Sequence, residues 1–308
     1  MKSKAINCPS CHSRDIQLIG EIPATDRFAG LDLSGHLQGG RLYMCEECHL
    51  YFRYPRLSKI KLDELYKNGP MQNWGIKPEL RNDWKVAAAW IRKNLGLGGK
   101  ILDVGCFDGG FLEFLGNGYR RFGIEIHEGA RELARAKGIL IVGSNFNALD
   151  KIIGKYDAVI AIDIIEHVHN PYLFLVKLSQ ATREGGLIIV SSGDTESLTW
   201  RMAKHRYYYC VLAEHISFIN ARWCQYASSR LGLELRCIQR FSHSRAGLLQ
   251  CVSEFGKNML YFLAPSVAQW FRSKGCGGKD VRAHRELLDH PPNWASAKDH
   301  IAVAFKRS

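Results

Sequence analysis

Residues 101–110 read ILDVGCFDGG, and this short stretch decides the fold. An apolar run ends at Asp103 and leads into glycines that include Gly105 and Gly109. Glycine lets a backbone turn tightly and approach a ligand closely, and the first N–H groups of a following helix have no partner within it. Glu125 ends the next apolar run, where a carboxylate can accept hydrogen bonds from ribose hydroxyls. Together these features predict a nucleoside site, although the spacing differs from the G-x-G-x-x-G of dinucleotide-binding proteins.

Strand-like and helix-like runs alternate from residue 100 onward. Apolar runs such as RRFGIEI (120–126), YDAVIAID (156–163) and GGLIIVSSG (185–193) alternate with amphipathic runs such as EGARELARAKG (128–138). Pro171 opens a further helical run and fits a first helical turn. The alternation predicts an α/β fold built from βαβ units around a mostly parallel sheet. The C-terminal DHIAVAFKR reads as a final strand.

Two CxxC pairs near the N-terminus have the spacing of a metal site. They are separated by 33 residues and consist of Cys8, Cys11, Cys45 and Cys48. A CxxC turn places two thiolates on one side of an ion, and two such turns complete the tetrahedron that zinc prefers. The pattern predicts a zinc ribbon over residues 1–60 that holds structural Zn2+, with the metal supplying much of its folding energy. His12 and His49 each follow a cysteine; either could replace a ligand, but a surface position is the preferred interpretation.

The composition is that of a globular protein with a basic surface. Of 308 residues, 46% are hydrophobic and 23% charged, and the formal net charge is +12. This charge favours anionic partners without choosing among nucleic acid, phosphorylated compounds and acidic membranes. No apolar run approaches the ~20 residues that span a bilayer, and MKSKAINCPSC lacks the apolar segment of a secretory signal. We therefore expect a cytoplasmic protein whose cysteines stay reduced.

Four segments, taken in order, resemble the class I S-adenosylmethionine (SAM)-dependent methyltransferases. They are ILDVGCFDGGFLEFL, FGIEIHEGARELA, YDAVIAIDIIEHVHNPYLFL and REGGLIIVSSG, and the resemblance covers residues 84–240. The EHV triplet also occurs in ubiquinone-biosynthesis O-methyltransferases. DRFAG (26–30) and LYFRYPRLS (50–58) resemble the zinc-binding domain of some bacterial methyltransferases, which are often associated with sugar, glycan or other secondary-metabolite pathways. The resemblance implies a Rossmann-like, doubly wound sheet of seven mostly parallel strands with an antiparallel last strand.

The chain is expected to divide into four parts. These are a zinc ribbon at 1–60, a helical linker and cap at 61–99, a SAM-binding domain at 100–241 plus 293–308, and a helical insertion at 242–292. A helical hairpin packed on the sheet is the simplest account of the apolar, basic insertion. A lid over the substrate, or a peripheral membrane contact through 242–275, is the alternative.

The resemblance implies a cofactor site at the ends of the first four strands. Its residues are Asp103, Gly105, Cys106, Gly109, Glu125, Ile126, Ser144, Asn145 and Asp163. Glu125 would bind the ribose hydroxyls, and Ile126 would lie against the adenine. Ser144 and Asn145 stand where the family often has an acidic or polar residue near the adenine amino group, and an acidic one is missing here. Asp163 would lie near the methionine moiety and the substrate.

Methyl transfer from a sulfonium needs alignment of the acceptor and, for a hydroxyl or carbon-acid acceptor, a base. Two histidines follow strands at the edge where open α/β sheets bind ligands. His215 in AEHISFIN follows an aromatic stretch and is the preferred candidate, with His167 in IIEHVHNP second. Asp163 completes the candidate catalytic set. For either histidine, a structural role is the alternative interpretation.

Three functions fit these features. The favoured one is methyl transfer to a small-molecule acceptor: a sugar, a glycan precursor or another metabolite, anionic or nucleotide-linked in keeping with the charge. Nucleic-acid methylation is motivated by the +12 charge and the ribbon, but AIDIIEH replaces the NPPY-like tetrad of amino-methylating enzymes. The third is a non-catalytic protein that binds SAM.

Overall fold

The N-terminal part of the chain forms a small antiparallel sheet. The computed structural model describes residues 6–29, 31–69, 71, 81–243, 247–276, 290–292, 294 and 296–308. The first elements are β1 (Ile16–Ile22), β2 (Thr25–Phe28), β3 (Leu31–Leu37), β4 (Gly40–Cys45), β5 (Tyr51–Tyr54), α1 (Lys59–Lys67) and α2 (Asn82–Asn94). β1, β4 and β5 pair in that order, and β2 pairs with β3 as a separate ribbon. α1 and α2 occupy much of the segment expected to be helical, of which 70 and 72–80 lie outside the described residues.

A seven-stranded sheet forms the body of the protein. The remaining elements are β6 (Lys100–Val104), α3 (Gly110–Leu115), β7 (Arg120–Ile124), α4 (Glu128–Ala136), β8 (Leu140–Gly143), β9 (Tyr156–Ile162), α5 (Pro171–Ala181), β10 (Thr182–Gly193), α6 (Leu198–Ala203), α7 (Tyr208–Val211), β11 (Ser217–Phe218), α8 (Ala221–Leu231), β12 (Leu233–Phe241), α9 (Leu248–Leu263), α10 (Pro265–Phe271) and β13 (His300–Arg307). The strand order is β12-β13-β10-β9-β6-β7-β8. β13 is antiparallel to both neighbours, and the other adjacent strands are parallel. The predicted Rossmann-like fold class is confirmed.

Apolar strand sequences place this sheet between two cores. In β6, Ile101 packs into the core beneath α2 and α3, and Leu102 packs into the opposite core beneath α5 and α8. Strands covered on both faces are apolar throughout, which is why these strands read as unbroken hydrophobic runs. α5 begins at Pro171, and the side chain of Asn170 caps it by accepting a hydrogen bond from the N–H of Leu173 at 2.9 Å. The expected first-turn position of Pro171 is confirmed.

The N-terminal sheet is completed by a strand from the second half of the chain. β11 pairs antiparallel with β5, joining Ser217 to Phe52 and Phe218 to Tyr51. Trp223 on α8 packs with the cysteines of the N-terminal part and donates its indole N–H to Ser10 Oγ at 2.9 Å. The strand lies in an aromatic stretch that gives no strand pattern of its own. The N-terminal sheet and the large sheet therefore share a core.

The described part of the insertion expected at 242–292 contains two helices. α9 and α10 are followed by a π-helical turn at Arg272–Cys276, and 244–246, 277–289 and 293 lie outside the described residues. α9 is inverted relative to an ordinary amphipathic surface helix, because it buries polar residues and exposes apolar ones. Its buried residues include Glu254, Asn258 and Tyr261. Its exposed apolar residues are Leu248, Leu249, Val252, Phe255, Leu260 and Leu263. Among the described helices, none is both long and apolar enough to cross a membrane.

Candidate functional site

The loop between β6 and α3 requires its glycines. Gly105 and Gly109 have φ of +83° and +78°, and an added Cβ would overlap the side chains of Ile164 and Ile139 respectively. Side chains rarely adopt this left-handed backbone region, so a larger residue would be strained as well as crowded. Gly109 is the residue before α3, which puts the start of that helix at the loop. The loop is a close-walled cradle at the carboxyl end of β6.

Glu125, at the tip of β7, is tied to two loops. Its Oε2 accepts the N–H of Phe107 at 2.9 Å, and its Oε1 accepts the N–H of His127 at 2.8 Å. The side chain is buried, and burial raises its pKa, although the backbone N–H groups partly oppose that rise. Each carboxylate oxygen has a second lone pair for a further donor.

Asp103 lies near the end of β6, and Cys106 is a residue of the glycine loop that follows it. Burial, together with the negative charge of Glu125, raises the pKa of Asp103 to about 7, against the opposing effect of Arg81. Burial also raises the pKa of the Cys106 thiol. A Cβ on Gly123 would overlap the Cys106 sulfur, so the thiol fills the space next to β7. This placement is that of a packing residue rather than a reactive thiolate.

The adenine end expected from the sequence is more open. Ser144 is exposed, and Ile126 and Asn145 are half-buried. Asn145 Oδ1 accepts the N–H of Asn147 at 2.9 Å and so caps a short 3₁₀ helix. The carbonyl of Ile126 accepts a hydrogen bond from Arg131 at 2.8 Å. The side chains of Ile126 and Ser144 remain available at the sheet edge.

Asp163 follows β9 and carries a strained backbone with φ of +53°. Arg81, just before α2, donates from Nη2 to Asp163 Oδ2 at 2.8 Å and also pairs with Asp83. Burial alone would raise the pKa of Asp163, but the Arg81 charge lowers it below its ordinary value. Asp163 Oδ1 is buried and has no hydrogen-bond partner in the described part of the chain. Such an oxygen is available to a bound group.

His167 and His215 lie together, with ring centroids 4.9 Å apart. The hydroxyl of Tyr66 is 2.6 Å from His167 Nδ1, and His215 Nδ1 is 2.9 Å from the carbonyl of Tyr209. Burial lowers the pKa of both rings, most strongly that of His215. A carbonyl only accepts, so Nδ1 of His215 carries the proton and Nε2 is the basic nitrogen. The two histidines expected from the sequence therefore belong to one cluster.

Glu166 adds a buried carboxyl to this cluster. One of its oxygens and one ring nitrogen each of His167 and His215 lie within 4.8 Å of one another. The hydroxyl of Tyr209 donates to Oε1, whereas Oε2 lacks a partner among the described residues. Burial and the nearby Asp163 raise the pKa of Glu166 to about 8. On β10, the hydroxyls of Ser191 and Ser192 also have no hydrogen-bond partner within the part of the chain that the structure describes, so this part of the edge offers several polar atoms to a ligand.

His300, the first residue of β13, also reaches this edge. Its Nδ1 lies 2.8 Å from Asp299 Oδ1, and its ring centroid is 4.4 Å from that of His243 and 5.6 Å from that of Tyr209. Asp299 accepts a further hydrogen bond from the hydroxyl of Tyr207. Burial lowers the pKa of His300, but the Asp299 carboxylate outweighs that effect and the pKa is raised.

The four N-terminal cysteines form a separate cluster. The sulfurs of Cys8 and Cys48 are 3.5 Å apart, those of Cys11 and Cys45 are 3.4 Å apart, and all four lie within 4.8 Å of one another. His12 and His49 follow the two turns, each with a positive φ. They are not among the close ligand atoms of this cluster. The four thiols are close enough together to hold one metal ion.

The sequence of residues 79–238, just over half of the chain, matches the methyltransferase-domain family. The chain belongs to this methyltransferase family. The chain is 29% identical over 133 residues to the ubiquinone biosynthesis O-methyltransferase of Erwinia tasmaniensis, which is 40% of this chain and 53% of that protein. It thus spans about half the length of this curated relative. The resemblance to SAM-dependent methyltransferases is confirmed, whereas the likeness to a fused zinc-binding domain remains a prediction.

Solved structures share the fold of this chain. A chain from the complex between the Haloferax volcanii Trm112 methyltransferase activator and a methyltransferase is 13% identical with a TM-score of 0.50, covering 80% of this chain and 97% of that one. Phosphoethanolamine N-methyltransferase 2 of Haemonchus contortus, in complex with SAM, is 12% identical with a TM-score of 0.51, covering 83% and 61%. At these identities the likeness establishes the fold alone.

Sequence reasoning missed three polar residues at the carboxyl edge of the large sheet. Arg81 lies outside the recognised motifs and carries no local signal. Glu166 stands inside the EHV triplet, in which the sequence predicts only His167 as a site residue. His300 had a usable signal: an antiparallel last strand begins where its parallel neighbours end, so the Asp-His pair at the start of DHIAVAFKR lies at the binding edge.

Proposed function

We propose that the protein transfers a methyl group from SAM to a small-molecule acceptor at the carboxyl edge of β6, β7, β9 and β10. The observation that carries the proposal is the glycine cradle beside Glu125 and the orphaned oxygen of Asp163. Ile164 and Ile139 pack against Gly105 and Gly109, whose positive φ values hold a tight turn at the end of β6 that a residue with a side chain would disturb. The residues present therefore fit SAM.

Each part of SAM has a residue suited to it. Glu125, anchored by two backbone N–H groups, retains lone pairs for the ribose hydroxyls. Ile126 offers an apolar surface to the adenine, with Ser144 and Asn145 beside it. Asp163 would face the positively charged methionine end, because Arg81 keeps its carboxylate ionised. When bound, SAM supplies an electrophilic methyl group on a sulfonium.

The acceptor pocket is proposed to lie over the cluster of His167, His215 and Glu166. Buried polar atoms without hydrogen-bond partners lower the stability of the protein unless a ligand satisfies them. The cluster therefore favours a polar acceptor such as a sugar or a glycan precursor. The +12 charge agrees with an anionic or nucleotide-linked molecule. His215 remains a candidate base through Nε2, with His167 beside it.

We further propose that Cys8, Cys11, Cys45 and Cys48 hold a structural Zn2+. Tetrahedral zinc with Zn–S bonds of about 2.3 Å separates its sulfurs by roughly 3.8 Å, close to the observed pairs at 3.5 and 3.4 Å. Residues 1–60 would then be the zinc ribbon, docked on the SAM-binding domain through β11.

The exposed apolar side of α9 and α10 supports a peripheral membrane contact, in keeping with a cytoplasmic protein. Leu249 and Leu263 are 87% and 84% exposed, and Trp270 on α10 is 57% exposed. Several large exposed apolar side chains on neighbouring helices suggest an interaction site, and an amphipathic helix with an aromatic residue suits the surface of a bilayer. The basic protein favours anionic lipid as the occupant.

Two measurements test the methyltransferase proposal. Isothermal titration calorimetry measures SAM binding, and transfer of tritiated methyl from SAM is assayed with UDP-glucose, dTDP-glucose, GDP-mannose and catechol, and with RNA and DNA oligonucleotides. Binding with transfer to a small molecule supports the proposal. Transfer to an oligonucleotide alone would establish the nucleic-acid alternative, and binding without any transfer would favour the non-catalytic one.

A further inference from the structure

His300 reaches the edge at which the acceptor is proposed to bind because of the direction of β13. Antiparallel pairing places His300 opposite Gly193, the last residue of β10. The N–H of Asp163 donates to the carbonyl of Ser191 on the same strand at 3.0 Å. The start of β13 and the end of β9 therefore meet at one edge of the sheet.

Asp299 fixes the orientation and the tautomer of this histidine. A carboxylate only accepts hydrogen bonds, so Nδ1 of His300 donates to Asp299 Oδ1, and Nε2 is the nitrogen that can take up a proton. The Tyr207 hydroxyl holds the other carboxylate oxygen, and the N–H of Asp194 donates to the Asp299 carbonyl at 2.8 Å. A histidine oriented by a buried, anchored carboxylate is the arrangement of a general base.

His300 is better suited to hold a proton than His215. The Nδ1 partner of His215 is a neutral carbonyl, and burial drives the pKa of that ring well below its ordinary value. The partner of His300 is a carboxylate, which stabilises the imidazolium that forms when Nε2 is protonated. The titratable groups that face His300 are Asp163, Glu166, Tyr207, Tyr209, His215, His243 and Asp299. The carboxylates among them also favour the charged ring.

We propose that His300, held by Asp299, is the general base that takes the proton of a hydroxyl acceptor, an inference that rests on the proposed function. The acceptor oxygen forms its bond to the methyl carbon as the methyl–sulfur bond breaks. The electron pair of that bond stays on sulfur, and the hydroxyl proton moves to Nε2. The imidazolium then remains paired with Asp299 until the proton leaves to solvent.

The test compares the full chain with His300→Gln, Asp299→Asn and the exposed control His36→Gln. Transfer of tritiated methyl to UDP-glucose, dTDP-glucose, GDP-mannose and catechol is measured against pH, and SAM affinity by calorimetry. General-base loss should lower kcat by about 100-fold or more in His300→Gln, with SAM affinity and KM within about threefold. In Asp299→Asn the lost charge lowers the pKa of His300, so the acid limb of kcat/KM should move to lower pH while the maximal rate falls.

The outcomes separate the base from the function on which it rests. Wild-type protein that binds SAM but methylates none of these hydroxyl compounds overturns both. Wild-type activity that persists in His300→Gln within about threefold, or an acid limb unmoved in Asp299→Asn, overturns the base alone. If His300→Gln does not fold, two other measurements test the base: the pH profile of Asp299→Asn, and 15N NMR of the wild type bound to S-adenosylhomocysteine. The NMR spectrum must show His300 protonated at Nδ1 when the ring is neutral.

Discussion

The backbone N–H of Phe107 donates to Oε2 of Glu125 at 2.9 Å, which fastens the glycine loop after β6 to the tip of β7. The Glu125 carboxylate thereby holds the loop in place and, under the proposed function, also binds the ribose hydroxyls. The same side chain holds the start of α4 through the N–H of His127. A change at Glu125 should therefore alter both the loop and the ligand affinity.

Replacement of Glu125 by Ala should weaken SAM binding by about tenfold or more, because hydrogen bonds to a charged group are each worth about 1.5–3 kcal/mol. Calorimetry of the variant measures the change. Glu132→Gln, an exposed position on α4, is the matched control and should bind as the wild type does. Wild-type affinity in Glu125→Ala would place the ribose elsewhere.

Glu166 should make stability fall as pH rises. Its folded pKa of about 8 lies above its ordinary value of 4.5, so the folded state binds the proton more tightly than the unfolded chain. The resulting stabilisation is complete below pH 4.5 and is lost as pH rises through about 8. Between pH 6 and pH 8.5, the wild type should lose on the order of 1–3 kcal/mol more unfolding free energy than Glu166→Gln.

Denaturant unfolding at the two pH values measures this difference. The raised pKa of Asp103, about 7, gives a slope of the same sign, but Asp103 is present in both proteins and cancels in the comparison. Parallel pH dependence in the wild type and Glu166→Gln would show that Glu166 does not hold its proton.

Loss of the metal should destabilise structure outside residues 1–60 as well as within them. Cys45→Ser removes one sulfur of the proposed zinc site, so zinc content measured by mass spectrometry should drop well below one ion per chain, with a lower melting temperature. Because β11 pairs with β5, hydrogen exchange should also rise at Ser217 and Phe218. Cys237 is an exposed cysteine outside the cluster, so Cys237→Ser should change none of the three: zinc content, melting temperature or hydrogen exchange. Full zinc occupancy in Cys45→Ser would rule out the proposed ligand set.

The inverted helix α9 should bind anionic membranes. Wild-type protein should sediment with phosphatidylglycerol vesicles and much less with phosphatidylcholine vesicles, and Leu249→Glu with Leu263→Glu should abolish the effect. Ile153→Glu, which replaces an exposed apolar residue elsewhere, is the control. Wild type that stays in solution with both vesicles, or a concentration-dependent dimer that the double variant loses, would reject lipid as the occupant.

The sequence predicted those parts of the fold that depend on short, continuous segments of the chain. The cradle around Gly105 and the carboxylate of Glu125 are set by short segments, and the order of apolar runs is enough to expect a parallel sheet.

The parts that escaped prediction depend on distant pairing. Arg81 meets Asp163 only because the chain before α2 comes to lie at the sheet edge, and His300 meets the edge only because β13 inserts between β10 and β12. β11, two residues long, has no periodicity from which a strand could be recognised. Local patterns hold no record of such contacts.

Because β11 pairs with β5, the N-terminal sheet cannot be completed until Ser217 has been synthesised. Phe52 emerges from the ribosome early, whereas its partner Ser217 follows after more than half of the chain. Until then the nascent N-terminal sheet has an open edge at β5, and such unpaired edges favour misassembly. A metal bound early by the cysteines would hold that sheet together during synthesis, so zinc supply should influence the yield of folded protein as well as its stability.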